Sequence, residues 1–310
     1  MHLAVTLVAP DPALIPAAQE RVELALAPLS ASVAGRRLLG PGALDMAVEA
    51  FLTLSPAEII RAVRRAVDDA LAGLPVDFAV QPAEGRRKLL FIADMDSTII
   101  GCECLDELAD FAGVKTQVAA ITERAMAGEI GFEGALRERV AMLKGLDRGA
   151  LQRCYEERVR LNPGAWTLVQ TLRAKGVRCV LVSGGFTFFT SRVAEAAGFQ
   201  ADRANRFIED GDVLAGAVVE PILGREAKLT ALREESAALG VQPSAAIAIG
   251  DGANDLAMIE QAGLGVAYRA KPVVAAQADA RIDHADLTAL LYFQGYAFED
   301  FAQPFRLTGD

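Results

Sequence analysis

Four short apolar runs decide the fold class of this chain: "KLLFIAD" from Lys88, "GVRCVLVSGG" from Gly176, "AAIAIGDGAND" from Ala245 and "GLGVAY" from Gly263. Each is the length of a strand, and helical segments separate them. That alternation predicts a parallel sheet covered by helices. Between the first and second runs lie about eighty residues with no strand pattern, too long for a simple strand-to-helix crossover. "CLDELADFAG", "KTQVAAITERAMAGE", "FEGALRERVAMLKG" and "DRGALQRCYEERV" read there as successive amphipathic helices. The expectation is a helical cap, at about residues 102–162, inserted after the first strand and lying over the strand ends.

The first 82 residues have a different grammar. "LAVTLVA" alternates as a strand, and "PALIPAAQERVELALA" has helical spacing. "ASVAGRRLL" and "DMAVEAFLTL" read as a strand pair around "GPGA". "SPAEIIRAVRRAVDDALA" carries its own start signal: Ser55 as N-cap, Pro56 at the first helical position and Glu58 completing a capping box. "VDFAVQP" closes as a strand, giving the order βαββαβ of a ferredoxin-like α+β sandwich. The polar "QPAEGRRK" reads as a linker. Two domains are therefore expected, residues 1–82 and 83–310.

Bulk properties exclude several function classes. The 310 residues are 52% hydrophobic, which favours a well-buried core over disorder. The net charge of -10, with no run rich in Lys or Arg, argues against a nucleic-acid partner. No apolar run reaches the ~18–20 residues of a membrane span, and the start "MHLAVTLVAPDP" does not read as a signal peptide. The cysteines, Cys102, Cys104, Cys154 and Cys179, form no disulfide framework, so reduced thiols in the cytoplasm are expected. Structural zinc wants four ligands, and only His2 and His284 could join "CEC". The same scarcity of histidine makes a histidine-based triad improbable.

The chemistry gathers where the apolar runs stop. In an open α/β sheet, ligands bind beyond the carboxyl ends of the strands. The first run ends in Asp94-Met95-Asp96-Ser97-Thr98, the second in Ser183-Gly184-Gly185, and the third in Gly250-Asp251-Gly252-Ala253-Asn254-Asp255. A single lysine, Lys228, lies on "GREAKLTALREES" between the last two. Two carboxylates with one residue between them repel unless a cation sits with them. Asp94, Asp96 and Asp251 are hard oxygen donors of the kind Mg²⁺ takes together with waters and phosphate oxygens. Ser183, the glycine N–H groups and Lys228 are donors for an anion, and glycine allows a phosphate close approach to the backbone. Metal, phosphate cradle and carboxylate nucleophile make a phosphoryl-transfer site.

The ordered set "DMDST", "SGG", lone lysine and "GDGAND" resembles the haloacid dehalogenase (HAD) superfamily of phosphatases over about residues 86–295. Within it, "DMDSTIIGCECLDELA", "AMAGEIGFEGALRERVAMLKGL", "VSGGFT" and "IGDGANDLAMIEQAGLGVAYRAKP" are similar to the phosphoserine phosphatases. The resemblance implies a HAD-type Rossmann-like sheet with an inserted helical cap. It implies Mg²⁺-dependent hydrolysis of O-phospho-L-serine through an aspartyl-phosphate, the last step of serine biosynthesis. Another small phosphoester, such as phosphohomoserine, stays open as the substrate.

The resemblance also implies roles. Asp94 would be the nucleophile and Asp96 the general acid and base. Asp94, the main-chain carbonyl of Asp96, and Asp251 would hold the metal. Ser183, Gly184 and Lys228 would hold the transferring phosphate, with Asn254 on its polar side and Asp255 behind the metal or Lys228. Glu103 would meet the substrate ammonium and Arg139 its carboxylate, although the residues alone also fit a helix-start carboxylate and a solvated helix face. Phe132 and Met126 would line the cap. Longer relatives of this kind carry ACT-like regulatory domains of βαββαβ order. In the front of this chain only the order is similar, and regulation by serine, homodimerisation or scaffold support are the open readings.

Overall fold

The computed structural model describes residues 1–51, 53–126 and 129–303, with backbone alone at Met126. The front unit runs β1 (His2–Val8), α1 (Ile15–Leu26), β2 (Ala31–Gly40), β3 (Ala43–Ala50), α2 (Pro56–Leu71) and β4 (Asp77–Pro82). Its four strands form an antiparallel sheet in the order β2-β3-β1-β4, so the βαββαβ expectation holds. The α2 start is the expected capping box, with Ser55 and Glu58 each accepting from the other's backbone N–H. Ile59, Val63, Val67 and Leu71 then repeat every four residues, which places them on one stripe, and all are buried against the sheet.

After β5 (Leu90–Ala93) come four helices, α3 (Cys104–Phe111), α4 (Lys115–Met126), α5 (Phe132–Ala141) and α6 (Arg148–Arg158). They are followed by α7 (Ala165–Ala174), β6 (Arg178–Phe186), α8 (Thr187–Ala197) and β7 (Ala201–Asn205). A hairpin, β8 (Phe207–Asp210) and β9 (Val213–Val218), precedes α9 (Arg225–Ala238) and β10 (Ala246–Gly250). The chain closes with α10 (Leu256–Gln261), β11 (Leu264–Tyr268), α11 (Pro272–Ala275), β12 (Ala280–Ile282) and α12 (Ala289–Phe293). Six strands make a wholly parallel sheet ordered β12-β11-β10-β5-β6-β7. Alternate residues feed two cores: Phe91, Ala93, Cys179 and Leu181 face α7 and α8, whereas Leu90, Ile92, Val180 and Val182 face α9 and α10. Burial on both faces explains why these strands read as continuous apolar runs. No helix among the described residues is long and apolar enough to cross a membrane.

Three elements differ from the expectation. β12 has only three residues, and β7 ("ADRAN") is polar, so neither has a readable strand pattern. The β8–β9 hairpin does carry a signal, Asp210-Gly211 between two apolar segments, with Gly211 at a positive φ of 61°. The hairpin adds strand structure to a cap expected to be helical. Its backbone is hydrogen-bonded to the cap at Gly145, Leu146 and Arg148.

The segment read as a linker is fastened. Arg86 makes a bidentate pair with Asp45, both bonds 2.7 Å. Nearby, Gln81 donates to the Phe293 carbonyl at 2.8 Å. The buried Asp77 carboxylate accepts from the N–H groups of Asp283 (2.9 Å), His284 (3.1 Å) and Ala285 (2.7 Å). Three N–H groups lose a charged acceptor in Asp77→Ala. The substitution should therefore cost about 3 kcal/mol, read as a lower urea midpoint, with Asp77→Asn less affected.

Candidate active site

Strand register brings the acidic residues together. Ala93 of β5 lies level with Ile249 of β10 and Leu181 of β6, so the residues just beyond these positions share one crevice. The first strand in sequence, β5, is central, and the chain reverses its direction of winding between β5 and β10, where ligands bind in such sheets. The Asp94 N–H donates to the Ile249 carbonyl at 3.0 Å, which fixes the turn at the end of β5.

Carboxylate oxygens of Asp94, Asp251 and Asp255 all lie within 4.8 Å of one another. Lys228, buried on α9, places its Nζ 2.6 Å from Asp94 Oδ1 and 2.5 Å from Asp255 Oδ1. Asp94 Oδ1 also accepts from the Met95 N–H at 2.8 Å, and Asp255 Oδ2 from the Gly252 N–H at 3.1 Å. Burial pushes the Asp94 carboxyl well up, with repulsion from Asp255 added and attraction to Lys228 opposing. Burial alone would pull the Lys228 ammonium down, but Asp255 and Asp94 together hold it above its ordinary value. One ammonium does not balance three crowded carboxylates. Among the described residues, Asp94 Oδ2 and the Asp251 carboxylate make no hydrogen bond to another residue. These two are the hard oxygen donors best placed to hold a metal ion, with Asp255 behind them fixing Lys228.

Asp96 is placed differently. Its Oδ1 accepts from the Cys104 N–H at 2.9 Å, at the start of α3, and its Oδ2 accepts from the Ser183 hydroxyl at 3.0 Å. Ser183 Oγ in turn accepts from the Gly185 N–H at 2.8 Å. Burial raises the Asp96 carboxyl against these donors, which favours a proton on it. The "SGG" segment lies inside β6 rather than after it, and pairing with β7 is interrupted between Val182 and Phe186. A Cβ on Gly185 would stand 3.1 Å from Asp96 Oδ2, so glycine is what lets the backbone come this close.

Glu103 immediately precedes α3 and accepts from the Ser97 hydroxyl at 2.7 Å. Ser97 has φ +56°, an uncommon conformation for a residue with a side chain, and its hydroxyl fixes Glu103 from there. Glu103 keeps one face open to solvent while protein closes round the rest. That desolvation, and then the charge of Asp96, push its carboxyl up to about 7 against the Ser97 bond. Arg139, half-buried on α5, makes no ion pair among the described residues, and its Nε donates to the Ala135 carbonyl at 3.4 Å. Burial lowers the Arg139 guanidinium, while Asp106 and Glu103 pull it back up. Phe132, also on α5, lies over the Ser183–Gly185 segment: a Cβ on Gly184 would meet its Cζ at 3.2 Å. Asn254 is half-buried in the loop with its Oδ1 folded over Gly252. The Met126 side chain lies outside the described residues.

The haloacid dehalogenase-like hydrolase family matches residues 91–260, more than half of the chain and the whole of this crevice. The chain belongs to that family. The chain is similar to a phosphoserine phosphatase of Polaromonas sp. (strain JS666), 46% identical over 224 residues, which are 71% of this chain and 95% of that protein. A solved HAD family hydrolase from Salmonella enterica serovar Typhi superposes with TM-score 0.82 at 30% identity, covering 94% of this chain and 98% of that one. A solved phospho-aspartyl intermediate analogue of phosphoserine phosphatase matches at TM-score 0.62 and 35% identity, over 67% of this chain and 99% of that one.

One further buried polar residue of this HAD hydrolase stands beside the crevice and lies outside the motifs. Asn205 ends β7, at the same edge of the sheet as Asp94 and Ser183, and is buried. Its only sequence signal is an amide among small residues in "ADRANRF", which marks nothing by itself.

Proposed function

We propose that this chain hydrolyses O-phospho-L-serine to L-serine and phosphate. The observation carrying the reading is the buried Asp94–Lys228–Asp255 group, with Asp251 beside it, facing Asp96 and Ser183 under a cap that offers Glu103 and Arg139. Phosphoserine phosphatases at 46% identity support the substrate. Asp94 attacks phosphorus, and the bond from phosphorus to the serine oxygen breaks as Asp96 gives that oxygen its proton. Asp96 then takes a proton from water, whose oxygen displaces Asp94 from phosphorus and releases phosphate. Ser183, the N–H of Gly184 and Lys228 hold the transferring group, with Asn254 on its polar side. Mg²⁺, held by Asp94, Asp251 and the main-chain carbonyl of Asp96, would supply positive charge to the phosphoryl oxygens. Residues 1–82 and 83–310 are taken as two units, the first with a core of its own. The four free thiols fit a cytoplasmic location.

The test is phosphate release from L-phosphoserine, phosphothreonine, phosphohomoserine and an aryl phosphate, with Mg²⁺ and with EDTA. Preference for phosphoserine, lost in EDTA, supports the proposal; turnover of the others without phosphoserine discards the substrate, and full activity in EDTA discards the metal.

Two predictions probe the cap. Arg139→Ala should lower kcat/KM for L-phosphoserine about 10²-fold, while leaving phosphoethanolamine, which has no carboxylate, within a few-fold. Equal losses on both would remove the specificity role. The raised Glu103 carboxyl fixes the sign of a pH effect: its ionised form is lost as pH falls through about 7. KM for phosphoserine should therefore rise below that pH, and KM for an aryl phosphate should not follow. Parallel profiles would contradict an ammonium contact at Glu103.

A further inference from the structure

We infer that Asn205 is a positioning residue that locks the phosphate cradle, the entry to α9 and the seat of the cap into one unit. Its Nδ2 donates to the Gly184 carbonyl at 2.9 Å and to the Leu223 carbonyl at 3.2 Å, and its Oδ1 accepts from the Leu223 N–H at 2.7 Å. Donors and acceptor alternate so that only one orientation of the amide satisfies all three bonds. The side chain is buried, so no water replaces a lost partner cheaply.

The three partners lie on two segments far apart in sequence. Gly184 belongs to the cradle in β6, and Leu223 stands just ahead of Gly224 and α9, the helix that carries Lys228. Asn205 therefore sets the distance between the two cation-and-amide arms that grip one phosphate. It also closes the base of the excursion from Arg206 to Ile222. That excursion holds the β8–β9 hairpin, whose backbone bonds the cap: Gly145 donates to the Leu214 carbonyl (2.8 Å), Leu214 to the Leu146 carbonyl (2.9 Å) and Arg148 to the Asp212 carbonyl (2.8 Å). On the crevice side, Phe132 of the cap rests on both segments that Asn205 joins. A Cβ on Gly184 would lie 3.2 Å from its ring, and one on Gly224 3.4 Å. The cap is thus held against a platform whose two halves are joined by one amide.

This inference rests on the phosphatase reading of the crevice, and the experiment separates the two. Wild-type, Asn205→Ala, Phe132→Ala and the double variant are assayed on L-phosphoserine and on p-nitrophenyl phosphate with Mg²⁺. Asn205→Ala should lose about 10²-fold in kcat on both substrates, because the phosphate end is disturbed and not the amino-acid end. The double variant should be no worse than the weaker single variant within about twofold, because Phe132 has no joined platform left to rest on. Multiplicative losses in the cycle, or Asn205→Ala within about twofold of wild-type, overturn the inference. Where Asn205→Ala does not fold, Asn205→Ser is read in its place against the same two outcomes. Absence of turnover by the wild-type on both substrates overturns the phosphatase reading itself.

Discussion

Asp94→Asn should purify as a folded protein and turn over at least about 10³-fold more slowly than wild-type. The amide keeps an acceptor for the Met95 N–H and for Lys228, so the end of β5 has no reason to rearrange. What it loses is the anionic oxygen proposed to attack phosphorus. Acid quench during turnover of ³²P-labelled phosphoserine should trap label on wild-type protein and none on Asp94→Asn. Wild-type-like activity in the variant, or label that stays on it, would place the nucleophile elsewhere.

Lys228→Ala should be damaging in two measurable ways. It removes the one ammonium that touches both Asp94 and Asp255, so kcat should fall about 10²–10³-fold. It also leaves two buried carboxylates side by side, for a loss of about 3–5 kcal/mol in metal-free buffer. The sign of the pH dependence follows from the Asp94 shift. Burial already holds the Asp94 carboxyl above its ordinary value and Lys228 opposes that, so without the ammonium the folded variant is favoured where Asp94 is protonated and loses stability as pH rises through its raised range. Wild-type, with Lys228 in place, should lose less over the same range. Urea midpoints measured from acid to neutral pH check this, and a variant with a flat profile would show that Lys228 does not neutralise the pair.

Much of the site is legible in the sequence alone, because its residues cluster where local signals stop. An apolar strand must end where it can no longer be covered, and the ends of β5, β6 and β10 each carry polar residues of the candidate site. Glu103 and Arg139 are legible only through resemblance, since a helix start and a helix face look the same whether or not they meet a substrate. Asn205 carries no signal, because a single amide has meaning only through the Gly184 and Leu223 groups that surround it. Asp77 is hidden for the same reason: in sequence it begins a strand, whereas in the structure it joins the front unit to the backbone at Asp283–Ala285.

By itself the sequence determined the elements whose information is local. The capping box at Ser55, the four-residue stripe of α2, the βαββαβ order and the doubly buried runs of the parallel sheet all follow from neighbours within a few positions. Tertiary structure alone decided what depends on distant partners. Register between β5, β10 and β6 set Asp94 beside Asp251 and level with the cradle, and burial turned Lys228 from a surface-compatible lysine into a counter-charge. The polar strand β7 and the three-residue strand β12 took their conformation from the sheet edges they extend. Hydrogen bonds and ion pairs act over about 3 Å, and chain separation in sequence says nothing about which groups come that close.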